Sequence, residues 1–373
     1  MKLLLITSMY PKQDNLYRNA FVHRRVLNYK VLNPNLEITI FVLNHSNKEQ
    51  YKFENVNVIE GNSQELQNLI DRNYYNKILI HFIDRHMMKV LRNINFRIPT
   101  IIWVHGVEAL GWYRRLFNFN LKEFPKYILQ NTLQMYLLNR FISSTKNKKV
   151  KFVFVSKWMK KILETDTFSK LNNSSIIPNP IDIKLFNYVK KPIEHRKKIL
   201  LIRPFDSKKY ANDIAIKTIL MLSRKHFFEN LEITIYGKGR HFDKLTSQLS
   251  AFENISINNR FLTQEEISDI HKEHGIFLCP TRQDAQGVSM CEAMSSGLIP
   301  ITSLNTAIPE FVHDGESGFL RNTPEEMAKA IEELYYDPIL FQKMSEEASK
   351  TIQSLCNNDL TISKEMYLIS ENI

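Results

Sequence analysis

The sequence predicts an α/β protein of two domains, each with a mostly parallel β-sheet covered by helices. Its 373 residues exceed what one hydrophobic core normally organises. Short continuous apolar runs alternate with amphipathic stretches along the chain, which is typical of repeated βα units. These runs are rich in Ile and Val, as expected of strands covered on both faces.

Individual elements follow from this alternation and from helix-end signals. Strands are expected at residues 3–7, 38–43, 77–83, 100–106, 152–156, 198–205, 231–237, 255–262, 276–281 and 299–302, and helices at 20–32 and 63–73. Capping boxes that begin two further helices are predicted at Thr263 with Glu266 and at Thr323 with Glu326, the latter with Pro324 at the first helical position. Gly275 is expected to cap the C-terminus of the first of these helices.

The domain boundary is predicted at residues 187–198, which are polar, charged and interrupted by Pro192. The chain then divides into an N-terminal domain at 1–186, the linker at 187–198 and a C-terminal domain at 199–355. A last helix at 356–373 is expected to return to the N-terminal domain. Ligands of such α/β domains bind at the carboxyl ends of the strands, so the functional residues should follow strands.

The net charge of +11 favours an anionic partner, such as nucleic acid, lipid headgroups or phosphorylated small molecules. The basic residues are scattered, without an arginine-rich helix or an RNA-binding aromatic strand, which argues against nucleic acid. Neither disulfides nor metal are expected, because Cys279, Cys291 and Cys356 lack CxxC spacing and the pairs His81/His86 and His271/His274 lack nearby carboxylates. No apolar run reaches the ~18 residues of a membrane span, and no signal peptide is apparent, so a cytoplasmic protein is expected.

The densest motif is residues 279–302, which are predicted to form a strand, a loop, a short helix and a second strand. Asp284 lies in the loop, and Glu292 follows eight residues later, near the first turn of a helix that ends at Gly297. The helix N-terminus directs positive partial charge to the same place. Carboxylates for hydroxyl groups beside amides for phosphate suit a nucleotide sugar, although a helix cap and a surface acid would also satisfy this spacing.

This segment resembles the E-x7-E motif of the family 4 retaining glycosyltransferases of GT-B fold, and the resemblance extends over nearly the whole chain. Further segments are similar to that family in the same order: 155–163, 176–186, Arg203 with Lys208, 236–239, 260–273 and 310–320. The resemblance implies two Rossmann-like α/β domains facing across a cleft. It also implies an acceptor-binding N-terminal domain and a nucleotide-sugar-binding C-terminal domain.

The resemblance assigns roles to individual residues. Arg203 and Lys208 would stabilise the leaving diphosphate without a metal or other cofactor, and Glu292 would accept hydrogen bonds from the ribose hydroxyls. Asp284 stands where the family has Glu beside the donor sugar, and His105 resembles a His that the family places near that sugar. Further substrate contacts are implied for the amides of Gln286, Gly287 and Val288, for Arg260, Phe261 and Leu262 near the base, and for Gly237 in the YGKG turn.

Three departures from the family leave the substrates open. Asp284 is one methylene shorter than Glu, which puts the donor-sugar preference in doubt. Residues 9–21, including Tyr17, contain no Gly where the family commonly has a Gly pair, and residues 304–307 replace a second Gly-rich loop. Both loops must therefore meet ligands through side chains.

The leading hypothesis is a retaining glycosyltransferase that uses a UDP-sugar, or a GDP-sugar, to glycosylate a glycan or a lipid-linked acceptor for a cell-envelope polysaccharide. A UDP-sugar 2-epimerase of the same fold is the main alternative, and a basic nucleic-acid-binding protein is a weaker one. Residues 109–151 interleave aromatic residues with Lys and Arg. This composition suits either a helix on an anionic membrane surface, at the inner face of the plasma membrane, or an ordinary domain helix with a solvated basic face.

Overall fold

The computed structural model describes residues 1–13, 18–44 and 49–371. Within them the chain forms two compact units. The first unit comprises Met1–Arg114, Asn120–Ile177 and Asp359–Ile373, and the second comprises Arg115–Phe119 and Pro178–Asn358. No described helix is both long enough and apolar enough to pass through a bilayer.

The first unit contains an eight-stranded sheet with the order β3-β4-β2-β1-β5-β6-β7-β8, in which only the β3–β4 pair is antiparallel. Its strands are β1 (Lys2–Thr7), β2 (Glu37–Leu43), β3 (Glu49–Phe53), β4 (Val56–Gly61), β5 (Lys77–His81), β6 (Thr100–Val104), β7 (Val150–Phe154) and β8 (Ser174–Ile176). Its helices are α1 (Ala20–Leu32), α2 (Ser63–Arg72), α3 (Arg85–Asn93), α4 (Phe124–Ser144) and α5 (Lys157–Asp166). The central strands are buried along their length because helices cover both faces.

The second unit contains a six-stranded parallel sheet with the order β11-β10-β9-β12-β13-β14. Its strands are β9 (Lys198–Ile202), β10 (Glu232–Gly237), β11 (Ile255–Asn259), β12 (Ile276–Leu278), β13 (Ile299–Thr302) and β14 (Phe319–Leu320). Its helices are α6 (Asn212–Leu222), α7 (Phe242–Thr246), α8 (Gln264–Glu273), α9 (Val288–Ser295), α10 (Pro324–Tyr336) and α11 (Pro338–Cys356). Both predicted capping boxes are present, at the start of α8 and of α10.

The C-terminal helix α12 (Asn358–Ser370) is grouped with the first unit from Asp359 onward. The fully buried carboxylate of Glu365 accepts hydrogen bonds from Arg25 on α1 at 3.1 Å and from Tyr29 at 2.5 Å. It also accepts one from the indole of Trp103 on β6 at 3.2 Å. This paired buried carboxylate holds α12 to the unit, since leaving any one of these groups without a partner would be costly.

The predicted linker at 187–198 is wrong, because these residues belong to the second unit and the chain changes unit between Ile177 and Pro178. Lys191 is buried, and its ammonium donates a hydrogen bond to the carbonyl of His271 at 2.5 Å. Burial lowers the pKa of Lys191 to about 8. Apolar stems of long cationic side chains pack readily, so a charged sequence here does not indicate an exposed linker.

Gly275 is not the left-handed cap that the sequence predicts. The residue that ends α8 is His274, whose backbone is extended. A side chain at Gly275 would collide with the backbone of His195, so the glycine permits close packing of two segments. Gly297, by contrast, has a φ of 83° just after α9 and is a left-handed helix terminator as predicted.

Candidate functional site

Most of the predicted site residues lie at the carboxyl edge of the second sheet. Strand β9 is followed along the chain by β10 and β11 on one side of it, and by β12 and β13 on the other. The order of the strands therefore reverses between β9 and β12, which is the usual ligand-binding position of an open α/β sheet. Arg203 comes directly after β9, at this reversal point.

Arg203 is a buried cation, with 4% of its side chain exposed. Its guanidinium donates to the hydroxyl of Ser289 at 3.1 Å and to the carbonyl of Cys279, after β12, at 3.2 Å. In the described parts of the chain it has no carboxylate partner, and its Nε is buried without an acceptor. Because a buried charge without a counter-ion is unfavourable, this arrangement is suited to an anionic ligand.

The N-terminus of α9 adds positive partial charge beside Arg203. Gly287, the residue before the helix, has a φ of 81°, and no side chain caps the helix there. Ser289, in the first turn, accepts the hydrogen bond from Arg203 and so joins the helix N-terminus to the guanidinium. Free amides at a helix N-terminus favour phosphate or carboxylate groups.

The carboxylate of Asp284 is hydrogen-bonded within its own loop. It accepts hydrogen bonds from the amides of Gly287 at 3.0 Å and Gln286 at 3.4 Å. These two amides, which the sequence predicts to contact the substrate, thus have a hydrogen-bond partner within the loop. The shorter Asp side chain reaches its own loop, so Asp284 holds the backbone that leads into α9.

The side chain of Gln286 also positions this loop. It is 1% exposed, accepts a hydrogen bond from the amide of Asn179 at 2.6 Å and donates one to the carbonyl of the same residue at 3.0 Å. Both the oxygen and the nitrogen of the side-chain amide are therefore hydrogen-bonded to Asn179, which fixes the loop to the segment after β8. Val288, the first residue of α9, is 37% exposed.

Glu292 lies one turn further along α9 than expected, in the second turn, and is 9% exposed. Ser289 and Glu292 are three residues apart, so they lie on the same side of the helix. The structure therefore places a carboxylate and the hydroxyl bound to Arg203 on one side of α9.

The remaining predicted residues of this unit follow neighbouring strands. Arg260 comes after β11, is half exposed, forms an ion pair with Glu266 at 2.6 Å and stacks on the ring of Tyr236. Phe261 is 52% exposed, whereas Leu262 is buried. Gly237 ends β10, and a side chain there would collide with the carbonyl of Arg203 and the ring of Phe205, which is a packing reason for glycine.

Lys208 begins a 3-10 turn at Lys208–Tyr210 and is exposed. Its carbonyl accepts a hydrogen bond from Arg282 at 2.8 Å, and Arg282 forms a bidentate ion pair with Asp213 on α6. The loop that carries Lys208 is therefore fixed even though its ammonium lies in solvent. The ring of Tyr210, which the sequence did not single out, lies 5.7 Å from the guanidinium carbon of Arg203.

His105 belongs to the first unit, where it follows β6. Its Nε2 shares a 2.8 Å hydrogen bond with Nδ1 of His81, and its Nδ1 is buried without a partner among the described residues. Burial lowers the pKa of both rings far below the ordinary value, so both are neutral at pH 7. Phe82, with an unusual φ of 61°, stacks against His105, which indicates a strained backbone beside this pair.

Glu108 completes this cluster, and the sequence did not single it out. Its carboxylate accepts hydrogen bonds from the amides of His105 at 2.5 Å and Gly106 at 3.0 Å. Burial raises the pKa of Glu108 to about 7, and the two amides oppose this effect. A Glu three residues after a strand-ending His is the signal that could have found it.

Two features outside these clusters bear on the remaining expectations. Within residues 1–13, 18–44 and 49–371, no group of three or more His, Cys, Asp or Glu is arranged to hold a metal ion. Thr306, in the loop that replaces a Gly-rich one, has a φ of 51°, and its hydroxyl accepts a hydrogen bond from the amide of Asp284. The backbone thus keeps a left-handed conformation without glycine. Residues 14–17 of the 9–21 loop, which include Tyr17, lie outside the described residues.

Comparison with known proteins agrees with this arrangement. A family model described as glycosyl transferases group 1 matches residues 196–337. The matched segment contains Arg203, α9 and the end of β11. No curated protein sequence matches the chain.

Solved structures extend the likeness to both units. Anabaena Alr3699/HepE, solved with UDP and glucose, is 12% identical with a TM-score of 0.70, and the match covers 99% of each chain. Sucrose-phosphate synthase from Thermosynechococcus elongatus is 13% identical with a TM-score of 0.70, covering 99% of this chain and 98% of that one. A glycosyltransferase from Rickettsia africae is 15% identical with a TM-score of 0.70, covering 98% and 97%. The chain has the GT-B fold.

Proposed function

We propose that this protein is a retaining glycosyltransferase that transfers a hexose-type sugar from a nucleoside-diphosphate donor, a UDP-sugar before a GDP-sugar, to a hydroxyl of a glycan or lipid-linked acceptor. The observation that carries the proposal is the buried, carboxylate-free guanidinium of Arg203 beside the N-terminus of α9. The diphosphate of a nucleotide-sugar donor is the anionic group that a group 1 glycosyltransferase would bind at Arg203.

In this proposal cationic side chains of the protein bind the diphosphate leaving group. Arg203 and the first amides of α9 bind the diphosphate, and Lys208 adds a mobile point charge from its turn. Charges positioned in this way stabilise the charge that develops as the glycosidic bond to phosphate breaks. The acceptor hydroxyl attacks on the same face, and its proton passes to a phosphate oxygen, so no side chain acts as nucleophile and no metal is needed.

The other residues hold the donor in place. Glu292 accepts hydrogen bonds from the two ribose hydroxyls, for which a carboxylate is suited, and the segment Arg260–Leu262 borders the base. Asp284 acts chiefly as a positioning residue, because its carboxylate already binds the amides of Gln286 and Gly287. The first unit is proposed to bind the acceptor.

The preference for UDP is proposed from the ligands bound in two similar solved structures. Alr3699/HepE was solved with UDP-glucose. A trehalose-6-phosphate protein from E. coli, which is 10% identical with a TM-score of 0.70 over all of both chains, was solved with UDP-2-fluoro glucose. We place the reaction in the cytoplasm, in the synthesis of a cell-envelope polysaccharide.

The decisive experiment is a thermal-shift panel of UDP- and GDP-sugars. A ligand present at 100 times its Kd adds about 2.7 kcal/mol, which raises the Tm of a domain of this size by roughly 5–10 °C. The variant Arg203→Met should lose this shift. The absence of a shift with every nucleotide sugar would overturn the proposal.

Two further measurements test the mechanism. NMR of the product should show the donor's anomeric configuration, and turnover should continue in EDTA. Loss of turnover in EDTA with rescue by Mn²⁺ would contradict the metal-free mechanism. Conversion of the UDP-sugar into its 2-epimer without any acceptor would instead favour an epimerase.

A further inference from the structure

Helix α4 of the first unit has two sharply different faces. One face is buried in the unit and consists of Phe124, Asn131, Met135, Leu138, Phe141 and Ile142. Polar side chains fasten this face: Asn131 donates to the carbonyl of Leu110 at 2.8 Å, and Asn139 donates to the carbonyl of Thr167 at 2.7 Å. The orientation of α4 about its own axis is therefore fixed by packing and by hydrogen bonds.

The opposite face of α4 is apolar and exposed. Leu129 is 74% exposed, Leu133 44% and Tyr136 59%. Their spacing of four and three residues places them within about 60° of one another around the helix. Three large apolar side chains along one line are unusual on a surface, where apolar residues are normally scattered singly.

Cations frame this apolar line. Lys126 precedes it and Arg140 follows it at the same helical spacing, and both are exposed. Residues 120–151 contain seven Lys and Arg residues but one acidic residue, Glu123. The surface formed by Lys126, Leu129, Leu133, Tyr136 and Arg140, called here the α4 face, is thus apolar with a cation at each end.

We propose that the α4 face binds an anionic lipid bilayer, with α4 lying along the membrane surface. The Leu side chains and the ring of Tyr136 enter the boundary between headgroups and acyl chains, while Lys126 and Arg140 extend to lipid phosphates. The choice of partner rests on charge. Three apolar residues in a line are few for a protein interface, whereas the cations around them are complementary to an anionic leaflet. This inference does not depend on the proposed transferase activity.

The structure also excludes part of the 109–151 segment from the proposed membrane contact. Arg114 is not available to a membrane, because it forms an ion pair with the buried carboxylate of Asp166 at 2.7 Å. Asp166 also accepts hydrogen bonds from the hydroxyl of Tyr113 and the amide of Gly111. Reversing the charge of Arg114 would disrupt this network, so it is not a test of membrane binding.

The test is co-sedimentation of the full chain with vesicles of phosphatidylcholine alone or with 30% phosphatidylglycerol. The protein should bind the anionic vesicles only. Leu129→Gln with Leu133→Gln should weaken binding at least tenfold. Lys126→Glu with Arg140→Glu, or 0.5 M NaCl, should do the same, because each cation near an anionic surface contributes roughly fivefold.

Matched controls use exposed residues elsewhere. Val31→Gln with Leu32→Gln replaces two exposed apolar residues at the end of α1, and Lys52→Glu with Lys329→Glu makes the same change of net charge. Both should bind vesicles like the natural chain. Equal binding of the Leu129/Leu133 variant, or binding indifferent to lipid charge, would overturn the proposal. The proposal would also be overturned if light scattering showed that the natural chain is an oligomer and the Leu129/Leu133 variant a monomer. A second copy of the chain would then cover the α4 face.

Discussion

The substitution Arg203→Met replaces a buried guanidinium with an apolar side chain of similar volume. In the folded protein this removes the cation that the proposed diphosphate would meet. Loss of one positioned donor to a developing anion lowers kcat by about 10²–10³, or about 2.7–4 kcal/mol. The affinity for UDP should fall as well, since the product carries the same diphosphate.

The effect on stability should be small, for reasons that can be read from the contacts. Removing a buried charge that has no carboxylate partner relieves an unfavourable desolvation of several kcal/mol. The same change leaves the hydroxyl of Ser289 without this donor, which costs about 1–3 kcal/mol, whereas the carbonyl of Cys279 keeps the hydrogen bond from the hydroxyl of Thr302. These effects oppose one another, so we expect a net change within about 2 kcal/mol, or roughly 4–8 °C in Tm.

The assay combines UDP release from the donor found in the panel, UDP titration calorimetry and thermal melting of the ligand-free protein. Arg196→Met is the control. Arg196 lies just before the start of β9, at the opposite end of the strand from Arg203, and donates hydrogen bonds to the carbonyls of Tyr335 and Ile193. It should melt earlier with unchanged turnover per folded molecule. Turnover of Arg203→Met within threefold of the natural chain would refute the reasoning, as would unchanged UDP affinity.

Three further predictions concern carboxylates. Asp284→Ala should lower the free energy of unfolding by about 1 kcal/mol in urea titrations through loss of the acceptor for two amides, whereas Asp284→Asn should retain it; equal stabilities would contradict the positioning role. Glu292→Gln should weaken UDP and the UDP-sugar alike, by about 10- to 100-fold in calorimetry, and unchanged affinity would remove Glu292 from the ribose. Burial raises the pKa of Glu108 from 4.5 to about 7, so the folded protein holds a proton that the unfolded chain has released between these values. Stability from this group is therefore lost as pH rises from about 4.5 to about 7, by about 3 kcal/mol, and Glu108→Gln should flatten that fall.

The elements predicted correctly are those with a strong local signal. The strands β1, β2, β9 and β13 are continuous apolar runs, and both capping boxes use only contacts within four residues. Four of the described strands are not predicted, and three of these, β3, β8 and β14, lack such signals. β3 (EQYKF) is a polar edge strand, most of whose residues are exposed, and β8 and β14 are three and two residues long. Their pairing is decided by the neighbouring strand rather than by their own sequence.

The sequence by itself determined the alternation of strands and helices, the two α/β units and the spacing of Arg203, Asp284 and Glu292. These properties depend on local hydrophobic periodicity and on motifs that a short window of residues contains. Only the tertiary structure decided that Arg203 is buried without a carboxylate, that Asp284 binds its own loop and that the 187–198 segment packs within the second unit. Each of these depends on contacts between residues far apart in the chain, and burial and charge compensation are set by those contacts rather than by the residue types alone.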